Sequence, residues 1–117
     1  MPKAPFQWSL FGARLDPVKG SEQAGKRPVL VISNEIINQN LPIVTILPLT
    51  SLKEGRRIYS TEVLLKVGTA GLKHDSLVMA HQVRTISKER LETLYGTIEN
   101  PNLQSKIRQA LRLHLDV

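Results

Sequence analysis

The apolar, β-branched runs of this chain follow one another with no helical crossover pattern between them, and that spacing points to a strongly bent barrel rather than a parallel sheet. Parallel neighbours need a crossover of a dozen or more residues, usually a helix. Here Pro28-Val29-Leu30-Val31-Ile32 is separated from the next run, Pro42 to Leu49, only by the polar connection Asn34 to Asn40, which has room for a helical turn. Phe6 to Leu15 carries Phe6, Trp8 and Leu10 in alternation and is interrupted at Gly12. Tyr59 to Leu65, Ser76 to Met79 and Gln82 to Ile86 follow, for five or six short strands in all. Pro28 to Ile32 shows no polar alternation and reads as a strand buried on both faces, and Pro48 predicts the end of the third strand's ladder. Ser87-Lys88-Glu89-Arg90 has the serine and charges of a brief helix start.

Only the end of the chain carries a long helix. Asn100 can cap it and Pro101 suits its first position. Leu103, Ile107, Ala110, Leu111, His114 and Leu115 then share one face, opposite a solvated basic face of Lys106, Arg108 and Arg112. The expected fold class is mainly β with a C-terminal helix (α+β), a small and strongly bent barrel, over one domain spanning residues 1–117.

The 117 residues include no Cys, which excludes a disulfide framework, a thiolate nucleophile and a zinc-thiolate cluster. No stretch approaches the roughly 18 apolar residues of a membrane span. Met1-Pro2-Lys3-Ala4-Pro5 lacks the apolar run of a signal peptide. A cytoplasmic location and no membrane partner are expected. A net charge of +6 favours an anionic partner, most commonly nucleic acid, although a basic surface also serves solubility alone. Aromatic residues make up 4%, too few and scattered for a row of base-stacking platforms, so phosphate and polar contacts are the expected mode.

The densest polar chemistry is Lys19-Gly20-Ser21-Glu22-Gln23-Ala24-Gly25-Lys26-Arg27. Its glycines let the backbone wrap closely around a ligand, and amides in such loops can donate to anions. Arg27 stands where the loop meets a buried strand, and its forked guanidinium suits a phosphate. Glu22 is placed to accept a proton or to orient Arg27; an ordinary solvent loop is the plain alternative. The string is not a Walker loop, which needs four residues between its glycines and then Lys-Ser/Thr. Pro48-Leu49-Thr50-Ser51 puts two hydroxyls past a strand, as phosphate ligands or as a simple turn. His81-Gln82 offers a general acid or base, with an ordinary surface or core histidine as the plain alternative, and His74 and His114 read as ordinary histidines. With three His, no Cys and no acidic cluster, neither a metal centre nor a cofactor is expected.

The stretch Asp16-Pro17-Val18-Lys19-Gly20-Ser21-Glu22-Gln23-Ala24-Gly25-Lys26-Arg27-Pro28-Val29-Leu30-Val31-Ile32-Ser33-Asn34 resembles the first motif of MazF/PemK-type toxin endoribonucleases. Pro48-Leu49-Thr50-Ser51 resembles the second. Gly71-Leu72-Lys73-His74-Asp75-Ser76, followed by His81-Gln82-Val83-Arg84-Thr85-Ile86, resembles the third. The likeness runs in register from about Leu10 to the C-terminus. It implies a homodimeric, SH3-like, strongly curved β-barrel that cleaves single-stranded RNA, sequence-selectively and without metal, under the control of a cognate antitoxin. The implied products are a 2′,3′-cyclic phosphate and a 5′-hydroxyl. Carried over by motif, Arg27 and Thr50 are the catalytic pair and Glu22 a third participant.

Attack by a ribose 2′-hydroxyl on its own phosphate needs no protein nucleophile; it needs charge stabilisation, a proton acceptor and a proton donor. Arg27 is assigned to the phosphorane charge and Thr50 to a phosphate oxygen. Glu22, or alternatively His81, takes the 2′-hydroxyl proton. Arg27 as donor to the leaving 5′-oxygen is chemically the poorest of these roles, because a guanidinium gives up its proton reluctantly. Lys19, Ser21, Gln23, Gly25, Asn34, Ser51, His81 and Gln82 line the groove on this reading. The first strand, Trp8-Ser9-Leu10-Phe11-Gly12 with Arg14, departs from the family pattern, and so does His81, where many members are acidic. A non-catalytic toxin or nucleic-acid binder on the same barrel, as gyrase poisons resemble, is the alternative. Promoter DNA is expected as a partner only through the toxin–antitoxin complex.

Overall fold

The computed structural model describes residues 5–117, so the reading of the first residues as lacking a signal peptide lies outside the described residues. Seven strands form one antiparallel sheet: β1 (Ser9–Arg14), β2 (Lys26–Val31), β3 (Ile43–Ser51), β4 (Glu62–Leu65), β5 (Ser76–Met79), β6 (Arg84–Ser87) and β7 (Leu91–Thr97). Helix α1 (Glu35–Asn40) links β2 to β3, and α2 (Pro101–Leu115) ends the chain. The strand order is β4-β5-β3-β2-β1-β7, with β6 also on β3. The sheet curves strongly without closing, its path running out at β4 and β7.

The bend centres on β3. Its first part pairs with β6 (Ile43↔Ser87 to Ile46↔Arg84), its middle with β2 (Val31↔Ile46 to Val29↔Pro48) and its end with β5 (Leu49↔Val78 to Ser51↔Ser76). Pro48 therefore does not end the strand. It falls where β3 passes from one partner to the next, a place where a missing N–H breaks no continuous ladder.

Alternation along the central strands feeds two cores. Leu10, Leu30, Leu47 and Leu49 pack with Ile107 and Ala110 of α2. Their neighbours Phe11, Val29, Val31, Val44 and Ile46 pack on the other face with Ile86 and Leu91. The both-faces reading of residues 28–32 holds for Val29, Leu30 and Val31, each fully buried. Truncating Leu30 to Ala costs about 2–5 kcal/mol.

Other expected boundaries shift for local reasons. Trp8, with a φ of 66°, starts β1 at Ser9 rather than Phe6. Tyr59 to Thr61 lie outside β4 because Tyr59 and Glu62 close a turn, the Glu62 N–H donating to the Tyr59 carbonyl at 2.9 Å. A 3-10 turn over Ala80–Gln82 delays β6 to Arg84, and the brief helix after Ser87 is a 3-10 turn over Lys88–Arg90. The unexpected strand is β7. On α2, Ile107 and Ala110 are buried and Leu103 and Leu111 half-buried, but His114 and Leu115 in the last turn are exposed. On its outer face Arg108 stacks over the Trp8 ring at 5.0 Å.

Glu35 ties the start of the chain to α1. Its carboxylate accepts the N–H groups of Phe6 (3.0 and 3.1 Å) and Gln7 (2.8 Å) and the side-chain amides of Asn38 and Gln39. Burial alone would raise its pKa, but the bonds from Gln7, Gln39, Phe6 and Asn38 outweigh that and hold it below the usual carboxylate value.

Candidate active site

The first motif leads into β2 and the second ends β3, so the fold decides whether they meet. The β2–β3 ladder stops at Val29↔Pro48. Two residues further on, Arg27 would face Thr50, but there β3 has turned onto β5 and pairs Thr50 with Leu77. The strands part, and a cleft of about 280 Å³ opens between them, lined by Lys26, Arg27, Pro28, Thr50, Ser51 and Ser76 among others. Arg27 is held in place because its Nε donates to the Ala24 carbonyl at 2.8 Å. That fixes one edge of the fork and leaves the terminal nitrogens for an anion. Lys26 reaches instead to Glu92 of β7, Nζ to Oε1 at 3.1 Å, an exposed pair of small energetic weight.

Glu22 does not share this cleft. It lines an adjoining one of about 240 Å³ with Gln23, Pro48, His81, Gln82 and Arg84. Its Oε1 accepts the Lys19 N–H at 2.7 Å, which folds the loop tip over. The His81 ring shares a 2.9 Å hydrogen bond between Nδ1 and the Thr61 hydroxyl. Gln82 clamps the loop: its Oε1 accepts the Gln23 N–H at 3.4 Å and its Nε2 donates to the Ser21 carbonyl at 3.2 Å. Gly25, at φ +76°, donates its N–H to Asp16 Oδ1 at 3.1 Å. Two glycines in left-handed conformation, Gly20 and Gly25, thus let the loop fold back onto the sheet.

Not every predicted groove residue gathers here. Asn34 lies beyond the opposite end of β2 and caps α1, its Oδ1 accepting from the Ile36 and Ile37 N–H groups at 2.9 and 3.3 Å. Lys19 and Ser21 are exposed and line none of these clefts with their side chains. A third cleft of about 260 Å³ shares Pro28, Ser51 and Ser76 with the first and adds Lys73, His74 and Tyr95. Sequence reasoning set His74 aside, although it lies inside the third motif; Tyr95 lies in no motif. A larger groove, about 560 Å³, lies elsewhere, between β4 and α2, and holds none of the predicted residues.

A curved antiparallel sheet whose strands part around Arg27, Thr50 and Ser51 defines a small β-sheet protein with an anion-suited polar cleft. Residues 7–115 match the family described as PemK-like, MazF-like toxin of type II toxin–antitoxin system, and the chain belongs to that family. It is 36% identical over 108 residues to endoribonuclease MazF9 of Mycobacterium tuberculosis, covering 88% of this chain and 89% of that protein. Among solved structures, MazF (form I) from Deinococcus radiodurans superposes with a TM-score of 0.81 at 26% identity, covering 99% of this chain and 100% of that one. MazE–MazF (form II) from the same organism gives 0.73 at 26% identity, covering 99% of each chain.

Proposed function

We propose that this toxin is an endoribonuclease that cleaves single-stranded RNA without a metal, selecting its site by sequence. One observation carries the reading. The parting of β2 and β3 brings Arg27 to the same cleft as Thr50 and Ser51, and the folded loop sets Glu22 in the cleft beside it. The RNA supplies its own nucleophile, the 2′-hydroxyl, which attacks the adjacent phosphorus. Glu22 takes the 2′-hydroxyl proton, with His81 across the same cleft as the other candidate base. Arg27 spreads the charge of the phosphorane over its free terminal nitrogens, and the Thr50 hydroxyl donates to a non-bridging oxygen. The P–O5′ bond then breaks and the leaving 5′-oxygen takes a proton, from the Arg27 guanidinium or from water, to give a 2′,3′-cyclic phosphate and a 5′-hydroxyl.

The chain works in this reading as one toxin domain over residues 1–117, in the cytoplasm, paired with a second copy that lengthens the groove. Membership of a type II toxin–antitoxin family supports a cognate antitoxin as partner, with promoter DNA bound only by the toxin–antitoxin complex. Among the described residues no helix is long and apolar enough to cross a membrane.

The test is to incubate the purified protein with a long mixed-sequence RNA in EDTA and map the new ends. Cleavage at a recurring short sequence, with cyclic-phosphate ends and loss of cutting in Arg27→Ala, is the expected result. Intact RNA under all conditions, together with growth arrest in cells, would replace the enzyme by a non-catalytic toxin.

A further inference from the structure

Among the described residues, Tyr95 is the only Phe, Tyr or Trp lining the three clefts around the parted strands, and the sheet is irregular where it stands. The β1–β7 register passes from Leu10↔Gly96 to Phe11↔Leu94, which leaves Tyr95 as the extra residue of a bulge. Bulges re-aim side chains, and this one turns the ring back across β1. The hydroxyl and Cζ lie 2.9 and 3.4 Å from where a Cβ on residue 12 would stand, so the glycine there leaves the ring its place. Gly12 pairs with Pro28 of β2, and the ring thus reaches the third cleft, beside Ser51 and Ser76.

The opposite wall is brought in at some conformational cost. Ala70 is left-handed, at φ 47°, and Gly71 stands at φ +80°. A Cβ on Gly71 would lie 2.5 Å from the Tyr95 carbonyl oxygen, and one on Gly96 would lie 2.7 Å from the Ala70 carbonyl carbon. The 68–72 loop therefore presses backbone to backbone against β7, and carries Lys73 and His74 into the lining of the same cleft as Tyr95.

We propose that this cleft is a nucleobase subsite: Tyr95 stacks one base of the RNA next to the scissile phosphate, and Lys73 pairs with that nucleotide's own phosphate. The assignment rests on the ribonuclease reading above, since the cleft shares Pro28, Ser51 and Ser76 with the Arg27–Thr50 cleft. A flat ring on a residue that is 39% exposed, sharing its cleft with the cation Lys73 and with Ser51 and Ser76 of the Arg27–Thr50 cleft, matches the pairing of stacking platform and basic group that holds single strands. Stacking accepts any base, so the subsite adds affinity beside the cut rather than reading a letter.

The experiment uses a synthetic RNA spanning a mapped cut, in which a 2′-deoxyribose at the cut blocks cleavage, and the same RNA with an abasic ribose at each position in turn. Dissociation constants are measured for wild type, Tyr95→Ala, Tyr95→Phe and Lys73→Gln. Tyr95→Ala is expected to bind about tenfold more weakly and Tyr95→Phe nearly as wild type. An abasic site at one position flanking the cut should erase the difference between wild type and Tyr95→Ala, and abasic sites elsewhere should preserve it. Lys73→Gln should flatten the dependence of log affinity on log salt by about 0.7. Unchanged binding by Tyr95→Ala, or a penalty that no abasic position removes, overturns the subsite; the second result marks Tyr95 as structural. If Tyr95→Ala does not fold, Tyr95→Leu keeps bulk without a planar face and carries the same comparison. Wild type that cuts RNA while the Tyr95 variants match it removes only the subsite. Wild type that neither cuts nor binds RNA removes the ribonuclease reading as well.

Discussion

Arg56 grips the Glu62 carboxylate through two parallel hydrogen bonds, Nη1 to Oε1 at 2.9 Å and Nη2 to Oε2 at 2.8 Å. The Glu62 side chain is wholly buried, and the Tyr59 N–H adds a third bond to Oε1 at 2.9 Å. Together they fold the connection after β3 back onto the start of β4. Removing one partner of a buried pair strands the other charge, at a cost of about 3–5 kcal/mol. Arg56→Ala is expected at the lower end of that range, because Tyr59 still donates to the carboxylate. Glu62→Gln should cost less, since Arg56 is partly exposed and turns to water. Urea unfolding midpoints of the two variants check the order, and equal losses would contradict it.

The same pair sets an acid limit on stability. Arg56 first, and then the Tyr59 N–H, pull the Glu62 pKa below its ordinary 4.5 against the opposing effect of burial. Glu35 is also lowered from 4.5, its hydrogen bonds outweighing burial. A carboxyl lowered in the folded state binds its proton more readily when unfolded, so each contribution is fully present above the unfolded value. Both are lost as pH falls from 4.5 through the folded values. Stability measured in urea should be flat with respect to these groups above about pH 5.5 and decline below 4.5, within about a unit either side of the transition. Glu62→Gln and Glu35→Gln should each make the acid decline shallower.

Gly71 and Gly20 both have positive φ, but their surroundings differ. A Cβ at Gly20, φ +55°, meets nothing within 4 Å, whereas one at Gly71 would stand 2.5 Å from the Tyr95 carbonyl oxygen. Gly20→Ala should therefore cost only the left-handed backbone penalty, about 1 kcal/mol. Gly71→Ala adds the displacement of the loop from β7, for a total of about 3 kcal/mol or more. Thermal melts of the two variants separate these cases.

What was legible in the chain was what repeats locally. Continuous apolar runs marked β2 and β3, and Asn100-Pro101 marked the start of α2, where Asn100 Oδ1 accepts the N–H groups of Asn102 and Leu103. Strand β7 was not legible: from Glu92 to Tyr95 both alternating sets of side chains are exposed, and a bulge breaks the period. The burial of Glu62 was not legible either, because nothing in the spacing says that Arg56 will reach it. The site was half readable. Arg27, Thr50 and Glu22 lie in motifs, and the cleft that joins the first two exists because β3 exchanges β2 for β5. Tyr95 depends on Gly12, and a relationship across 83 positions leaves no mark in either local sequence.

Thr50 separates catalysis from folding most directly. Its backbone is held by the β3–β5 ladder opposite Leu77, and its hydroxyl makes no hydrogen bond to another described residue. Replacing that hydroxyl by a methyl in Thr50→Val keeps the β-branched shape that strands favour, so the fold should lose less than about 1 kcal/mol. If the hydroxyl donates to a phosphate oxygen as the phosphorane forms, losing it should reduce kcat by about 100- to 1000-fold, the usual effect of removing one donor of this kind. Serine restores the donor with one methyl fewer, and Thr50→Ser should recover most of the rate. Single-turnover cleavage of a mapped RNA, read beside a thermal melt of each variant, gives both quantities from one preparation. A Thr50→Val protein that loses stability in proportion to activity would make Thr50 a structural residue of β3 and leave the phosphate to Arg27 and Ser51.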